Sequence, residues 1–180
     1  ALPKPLRTFL LITFIFALGN YSNLFIVLKA HELGLVPIYL ILLYGVFNLT
    51  HALTVYPASR LSDRIGRRGL LVAGYLLFGF TFLAFSFATS AAWYWPLFAL
   101  YGLYLGLTEG VEKALVSDFA PPDLKATAQG LHATVVSATV LPASVLAGLL
   151  WIYVDSAAPF YFSSITAFGA TMLLLKRLPR

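Results

Sequence analysis

The chain contains no cysteine. No disulfide framework and no thiolate metal site can therefore form. Charge is almost as scarce. Only 11% of the 180 residues are Asp, Glu, Lys or Arg, against roughly 25% in soluble domains. The three histidines, His31, His51 and His132, are scattered, and no His-Glu-x-x-His occurs. A metal-dependent enzyme is not expected, and neither metal nor cofactor is called for. No Gly-x-x-x-x-Gly-Lys-Ser/Thr is present to cradle a nucleotide phosphate. Ser137 and Ser144 lack a Gly-x-Ser-x-Gly context, so nucleophilic catalysis by an intramembrane enzyme is not expected either. No linker is long enough to set off a second domain.

Apolar residues fill the space that charge leaves. They make up 60% of the chain, with a mean hydropathy of +0.86. A chain this short cannot bury such runs in a soluble core. Six spans can be drawn, at about 7–29, 37–56, 69–88, 92–117, 125–151 and 159–175, each near the ~20 residues that cross a bilayer. The runs are continuous rather than alternating, which argues for helices over strands. The expected fold is an all-α membrane protein, a single six-helix transmembrane bundle. The first run follows Lys4 and Arg7 and is too long for the core of a cleavable leader.

The net charge of +5 does not point to nucleic acid, because the basic residues sit where apolar runs end. Lys4, Arg7, Arg60, Arg64, Arg67, Arg68, Lys125, Lys176, Arg177 and Arg180 all fall on one side. The other side holds Lys29. The positive-inside rule then puts both termini in the cytoplasm of a multi-pass cell-membrane protein, expected in a bacterial inner membrane. Trp93, Trp95, Trp151 and Tyr153 fall at the opposite interface, where amphipathic rings prefer to sit. Spans three and six have no ionisable group in their interiors and are expected to face lipid. The other four carry polar groups at membrane depth, which should face protein or a watery cavity.

The segment from Pro57 to Arg68 separates spans two and three and reads as a short basic hinge. Within it, Ser59-Arg60-Leu61-Ser62-Asp63-Arg64-Ile65-Gly66-Arg67-Arg68 resembles the signature Gly-x-Leu-Ala-Asp-Arg-x-Gly-Arg-Arg of the major facilitator superfamily. Leu61, Asp63, Arg64, Gly66, Arg67 and Arg68 match, and Ser59 replaces the first glycine. The stretches Leu18–Asn23 and Glu109–Gly130 are similar to the C-terminal half of bacterial members. The resemblance covers essentially the whole chain. It implies half of a secondary transporter that moves a small solute by alternating access. The family usually joins two such halves in parallel. A second six-helix unit is thus implied as partner, either a missing N-terminal half or a parallel homodimer mate. The alternatives are an isolated fragment or a non-transporting scaffold.

The resemblance implies that the hinge is a conformational latch. Asp63, near helix termini, can accept backbone N–H bonds. Arg64, Arg67 and Arg68 can engage Asp118 at the end of span four, in pairs that hold only in one access state. The other reading, compatible with the first, is that the arginines set topology and bind anionic lipid heads.

Polar groups at depth mark the candidate cavity. In span four, Glu109 and Lys113 have the i, i+4 spacing of a helical ion pair, which leaves Glu112 without a local partner. Proton coupling at Glu109 or Glu112 is one reading. The other is that this cluster is hydrated and extends the latch. Tyr101, Tyr104 and Thr108 share a neighbouring face. The stripe Gly102, Gly106 and Gly110 lets another helix approach closely. Asn20 and Asn23 share a face of span one, and Tyr44, Asn48 and His51 a face of span two. Gln129 and His132 join Ser137 in span five, where Pro142 can bend the helix. Each of these groups can instead bridge two helices. Together, on four helices, they outline a polar cavity, whose solute the residues do not specify.

Overall fold

The computed structural model describes residues 2–178. Arg180, counted above with the basic side, lies outside them. The described residues form helices and no strand. In order these are α1 (Lys4–Gly19), α2 (Leu24–Glu32), α3 (Pro37–Ile65), α4 (Arg67–Phe87), α5 (Tyr94–Phe119), α6 (Lys125–Tyr153) and α7 (Ala158–Arg177). Taking α1 and α2 as one broken pass, the bundle has six passes, as expected. Five are both long and apolar enough to cross a bilayer. The sixth, α5, has 26 residues, or about 39 Å of helix. Its tyrosines, glycines and acidic residues lower its hydropathy.

Two boundaries differ from the sequence expectation. The first span is not continuous: the helix stops at Gly19 and restarts at Leu24. Asn and Ser side chains compete with the helical ladder for hydrogen bonds, and three occur here within four residues. The neighbours satisfy the break. The Ser163 hydroxyl donates to the Gly19 carbonyl at 2.6 Å, and the Ser22 N–H donates to Ser144 Oγ at 3.3 Å. Non-helical backbone at membrane depth is tolerated only where protein meets its polar groups in this way. Asn20 and Asn23 therefore do not share a helix face, as the sequence suggested. They flank an unwound turn.

The second difference is the hinge. Helix α3 runs on through Pro57 to Ile65, and α4 starts at Arg67. The turn is a single residue, Gly66, at φ 83°. A side chain there would be strained. Asp63 consequently lies exposed in the last turn of α3, the electronegative end, and not at a helix N-terminus.

Helix α5 is the spine. It packs against α3 on one side and α4 on another, while α7 closes on α1 and α4, and α6 packs chiefly on α1. Gly102 and Gly106 let α3 touch α5 backbone to backbone. A Cβ on Gly102 would overlap the Phe47 carbonyl, and one on Gly106 would come within 2.6 Å of Thr54 Cβ. Gly110, the third member of the stripe, meets nothing within 4 Å, so the close packing ends one turn earlier than expected.

Helices α4 and α7 bury more of their surface than α3 and α6 do. Freedom from charge did not mean greatest exposure. Gly74 and Gly79 on α4, and Ser163, Ser164, Ala167, Ala170 and Thr171 on α7, are small enough for intimate packing, and all but Gly74 and Gly79 are 3% exposed or less. The two helices still present Phe80, Phe87, Ile165 and Met172 outward. The longest apolar exposed faces belong instead to α3 (Ile41, Leu49, Leu53) and α6 (Leu141, Val145, Ile152). Between the helices lies an aromatic core. Phe16 stacks on Tyr75 at 3.8 Å, and Phe78 on Phe82 at 4.1 Å.

Candidate functional site

A cavity of about 310 Å³ opens between α1, α5 and α6. Its polar lining comprises Thr13, Asn20, Tyr104, Thr108, Glu109, Glu112, Lys113, His132 and Ser137. Residues expected from three separate stretches of sequence therefore converge here. The helical register explains why. Tyr104, Thr108 and Glu112 are four apart on α5 and stack along one face. The Thr108 hydroxyl donates to the Tyr104 carbonyl at 3.0 Å. That turns its methyl toward Gly74, where an added Cβ would overlap it.

The two glutamates differ in environment. Glu109 is half-exposed and accepts from Lys113 Nζ at 2.9 Å, the i, i+4 pair expected from spacing. Its other oxygen lies 3.2 Å from His51 Nε2 of α3. Glu112 is more enclosed, with 16% of its side chain exposed, and its oxygen lies 3.8 Å from His132 Nε2 of α6. It also lies beside Tyr75 of α4. Three buried polar atoms around it, Thr13 Oγ1, Tyr75 OH and His132 Nε2, have no hydrogen-bond partner among the described residues. Buried donors and acceptors left open in this way are costly. The His132 ring is held parallel to Phe9, with centroids 6.1 Å apart.

Other expected residues sit elsewhere. Tyr101 is buried, and its hydroxyl donates to Asn23 Oδ1 at 2.7 Å, which pins the helix break to α5. Tyr44 packs edge-on against Phe98. Asn48 turns back to its own helix and donates to the Tyr44 carbonyl at 2.7 Å. Gln129 bridges α6 to α5, donating to the Lys113 carbonyl at 2.6 Å and to Ser117 Oγ at 2.9 Å. These four serve helix packing in this conformation and do not line the cavity. Thr13 and Tyr75 were not anticipated. Thr13 is signalled only as a lone hydroxyl in an apolar run. Tyr75 has no signal, being one aromatic among many in α4.

At the basic end, Arg67 Nη1 pairs with Asp118 Oδ2, the partner the sequence suggested, and also reaches the Ala114 carbonyl at 3.5 Å. Arg68 donates to the Leu175 carbonyl at 2.5 Å. These bonds tie the start of α4 to the end of α5 and the end of α7. Asp63 and Arg64 are exposed and make no ion pair among the described residues. Ser59 donates to the Tyr56 carbonyl at 2.8 Å. Leu61 is exposed on the same extension. At the opposite end, Lys29 Nζ bonds Glu32 at 3.2 Å and Ser156 Oγ at 2.5 Å. Among the described residues no cluster of His, Asp and Glu is suited to a metal ion.

A multi-pass helical bundle with a broken first pass and a polar, ionisable cleft is the architecture of an α-helical membrane protein. The family model for the Major Facilitator Superfamily matches residues 9–180. An uncharacterized MFS-type transporter of Methanocaldococcus jannaschii is 40% identical over 183 residues. That alignment takes in 97% of this chain and 45% of the relative, so the chain spans about half the length of the protein it matches. The chain belongs to the Major Facilitator Superfamily.

Proposed function

We propose that the chain works as one half of a secondary active transporter, moving a small solute by alternating access with proton coupling. The observation that carries this reading is the cavity around Glu112. An enclosed carboxylate faces an imidazole 3.8 Å away, with unpartnered hydroxyls beside it. In that setting a proton on Glu112 and a proton on His132 are alternatives whose balance depends on what fills the cavity. Solute entry then changes the protonation state, and protonation changes solute affinity by the same factor. Asn20, Tyr104, Thr108 and Ser137 supply neutral donors and acceptors for the solute. Glu109, His51 and Lys113 form a second ionisable group on the α3 side. The Arg67–Asp118 pair serves as a latch, because it joins two helix ends that separate if the bundle rocks. No enzymatic step is assigned to any of these groups.

The second unit follows from the exposed faces of α3 and α6. Their rows of exposed Leu, Ile and Val flank the cavity helices and match what a second six-helix half would cover. The mate is either a complementary half or a second copy packed in parallel. A chain acting only when paired, and inert alone, is the second reading. The share of the relative that the chain spans supports it. The basic end is assigned to the cytoplasm of a cell membrane by the positive-inside rule.

The test uses the cysteine-free chain in proteoliposomes. Single cysteines at Leu49 or Leu141 should crosslink in the membrane if copies pair through these faces. With pairing established, a panel of organic solutes is added under an imposed pH gradient, and internal pH is followed with a trapped dye. At least one solute should drive proton movement that Glu112→Gln abolishes. A crosslinked dimer with no solute-driven proton movement across the panel refutes the proton-coupled reading. A strict monomer without uptake favours the paired-only reading.

A further inference from the structure

A second cavity, larger than the polar cleft, lies apart from it. About 920 Å³ lies at the basic end, with Arg67, Arg68, Gly69, Asp118 and Leu175 in its lining. Its lining divides into two parts. The rim is the uncapped start of α4 with two guanidinium groups. The wall is leucine, valine and phenylalanine from α4, α5 and α7. A charged rim over an apolar wall, at the level where helices leave the bilayer, is complementary to an amphiphile and not to a freely soluble ion.

The sign of the rim favours an anion. Asp118 is neutralised by its pair with Arg67. Arg68 has no acidic partner among the described residues. One of its N–H groups donates to the Leu175 carbonyl, while Nε is buried and has no partner among the described residues. The first backbone amides of α4 point the same way, since no side chain caps that helix. Lys176 and Arg177, in the last turn of α7, add positive charge nearby. The other terminal N–H groups of Arg68 make no hydrogen bond among the described residues, and together with free amides such groups are suited to phosphate oxygens. Below the rim, Ala73, Phe80 and Phe87 on α4 repeat at sevenfold spacing and are exposed. On α7, Ile165 and Met172 are spaced the same way, and Leu175 is exposed one turn beyond. These two rows offer a track for acyl chains.

We infer that this cavity is a binding site for one anionic glycerophospholipid, with its phosphate on Arg68 and the α4 N-terminus and its chains along α4 and α7. The site needs only a bilayer around the bundle and is independent of any transported solute. It differs from general attraction of basic residues to a negative membrane surface in having a shape that can be filled. Gly69 lines it, and an added Cβ there meets nothing within 4 Å, so a large side chain at this position occupies the lipid's space without removing charge.

Native mass spectrometry of the full chain released from detergent tests this. Phosphatidylglycerol and phosphatidylcholine of matched chains are offered in equal amounts. Each basic residue near a membrane surface contributes about 1 kcal/mol to anionic lipid binding, so the expected preference for phosphatidylglycerol is about fivefold. Arg68→Gln and Gly69→Trp should each abolish that preference. Arg68 also holds α7, so Gly69→Trp carries the test if the first variant does not fold. Free glycerol 3-phosphate in millimolar excess should not displace the lipid. If it does, the site takes a soluble phosphate ester and the lipid assignment fails. If Gly69→Trp keeps the preference, the attraction is diffuse surface charge and there is no built site.

Discussion

The contact between α3 and α5 can be tested with two substitutions on one helix. Gly102 and Gly110 are eight residues apart on α5, and the sequence treats them alike. The structure does not. An alanine at 102 would drive its Cβ into the Phe47 carbonyl and the Thr50 hydroxyl. Backbone cannot yield as a side chain does, so α3 must move away. Overpacking of this kind costs about 1–3 kcal/mol. It is partly offset by the ~1 kcal/mol that alanine gains over glycine inside a helix. At 110 an alanine meets nothing within 4 Å, so only the ~1 kcal/mol gain remains. Gly110→Ala should thus be the more stable variant by about 1–3 kcal/mol. For a chain of this size each kcal/mol moves Tm by roughly 2–4 °C. The assay is thermal unfolding in one detergent, read by loss of the monodisperse chromatographic peak. If the two variants melt together, or Gly102→Ala melts higher, helices α3 and α5 are not in backbone contact and the packing described here is wrong.

Three further outcomes follow from single sites. Gly66 sits at φ 83°, ψ 145°, a conformation open essentially to glycine, so Gly66→Ala should cost about 1–3 kcal/mol, read as a lower Tm. Gly69→Ala, inside α4 with nothing within 4 Å of the added Cβ, should instead hold or raise Tm, by up to ~1 kcal/mol of helix propensity. The Arg67–Asp118 pair leaves 40% and 48% of its side chains exposed, so a double-mutant cycle on stability should return about 0–1 kcal/mol. A much larger coupling would mean the pair is dry. Between α6 and α7, the Ala157 N–H donates to Asp155 Oδ1 at 2.9 Å and holds that carboxyl below its ordinary pKa. A depressed carboxylate contributes stability above its unfolded pKa and loses it as pH falls through the folded one. Asp155→Asn should therefore flatten the acid limb of the stability profile below about pH 4, and a limb of unchanged steepness would rule the capping bond out.

The number of passes was legible because apolar runs and their charged boundaries are local properties. The basic signature at Pro57–Arg68 was legible for the same reason, and so was the Arg67–Asp118 pair, since both residues sit at helix ends on the same side. The i, i+4 bond of Glu109 to Lys113 needed only helical geometry. What failed to show was anything set by competition between local and distant bonding. The break at Asn20–Asn23 is stable because Ser144, Ser163 and Tyr101 arrive from three other helices. Asn48 and Gln129 carry the same polarity as the cavity residues. Only packing decides that one bonds its own backbone and the other bridges α5 and α6.

The sequence alone determined that this is a membrane bundle of six passes with its cations gathered at one end, since the cost of burying charge in hydrocarbon acts on each residue where it stands. The tertiary structure decided which polar groups meet. Glu112, His132, Thr13 and Tyr75 come from four helices and have no common spacing in the chain. Their convergence depends on how closely helices approach, and that is set by small residues such as Gly74 and Gly106 whose partners lie far away in sequence.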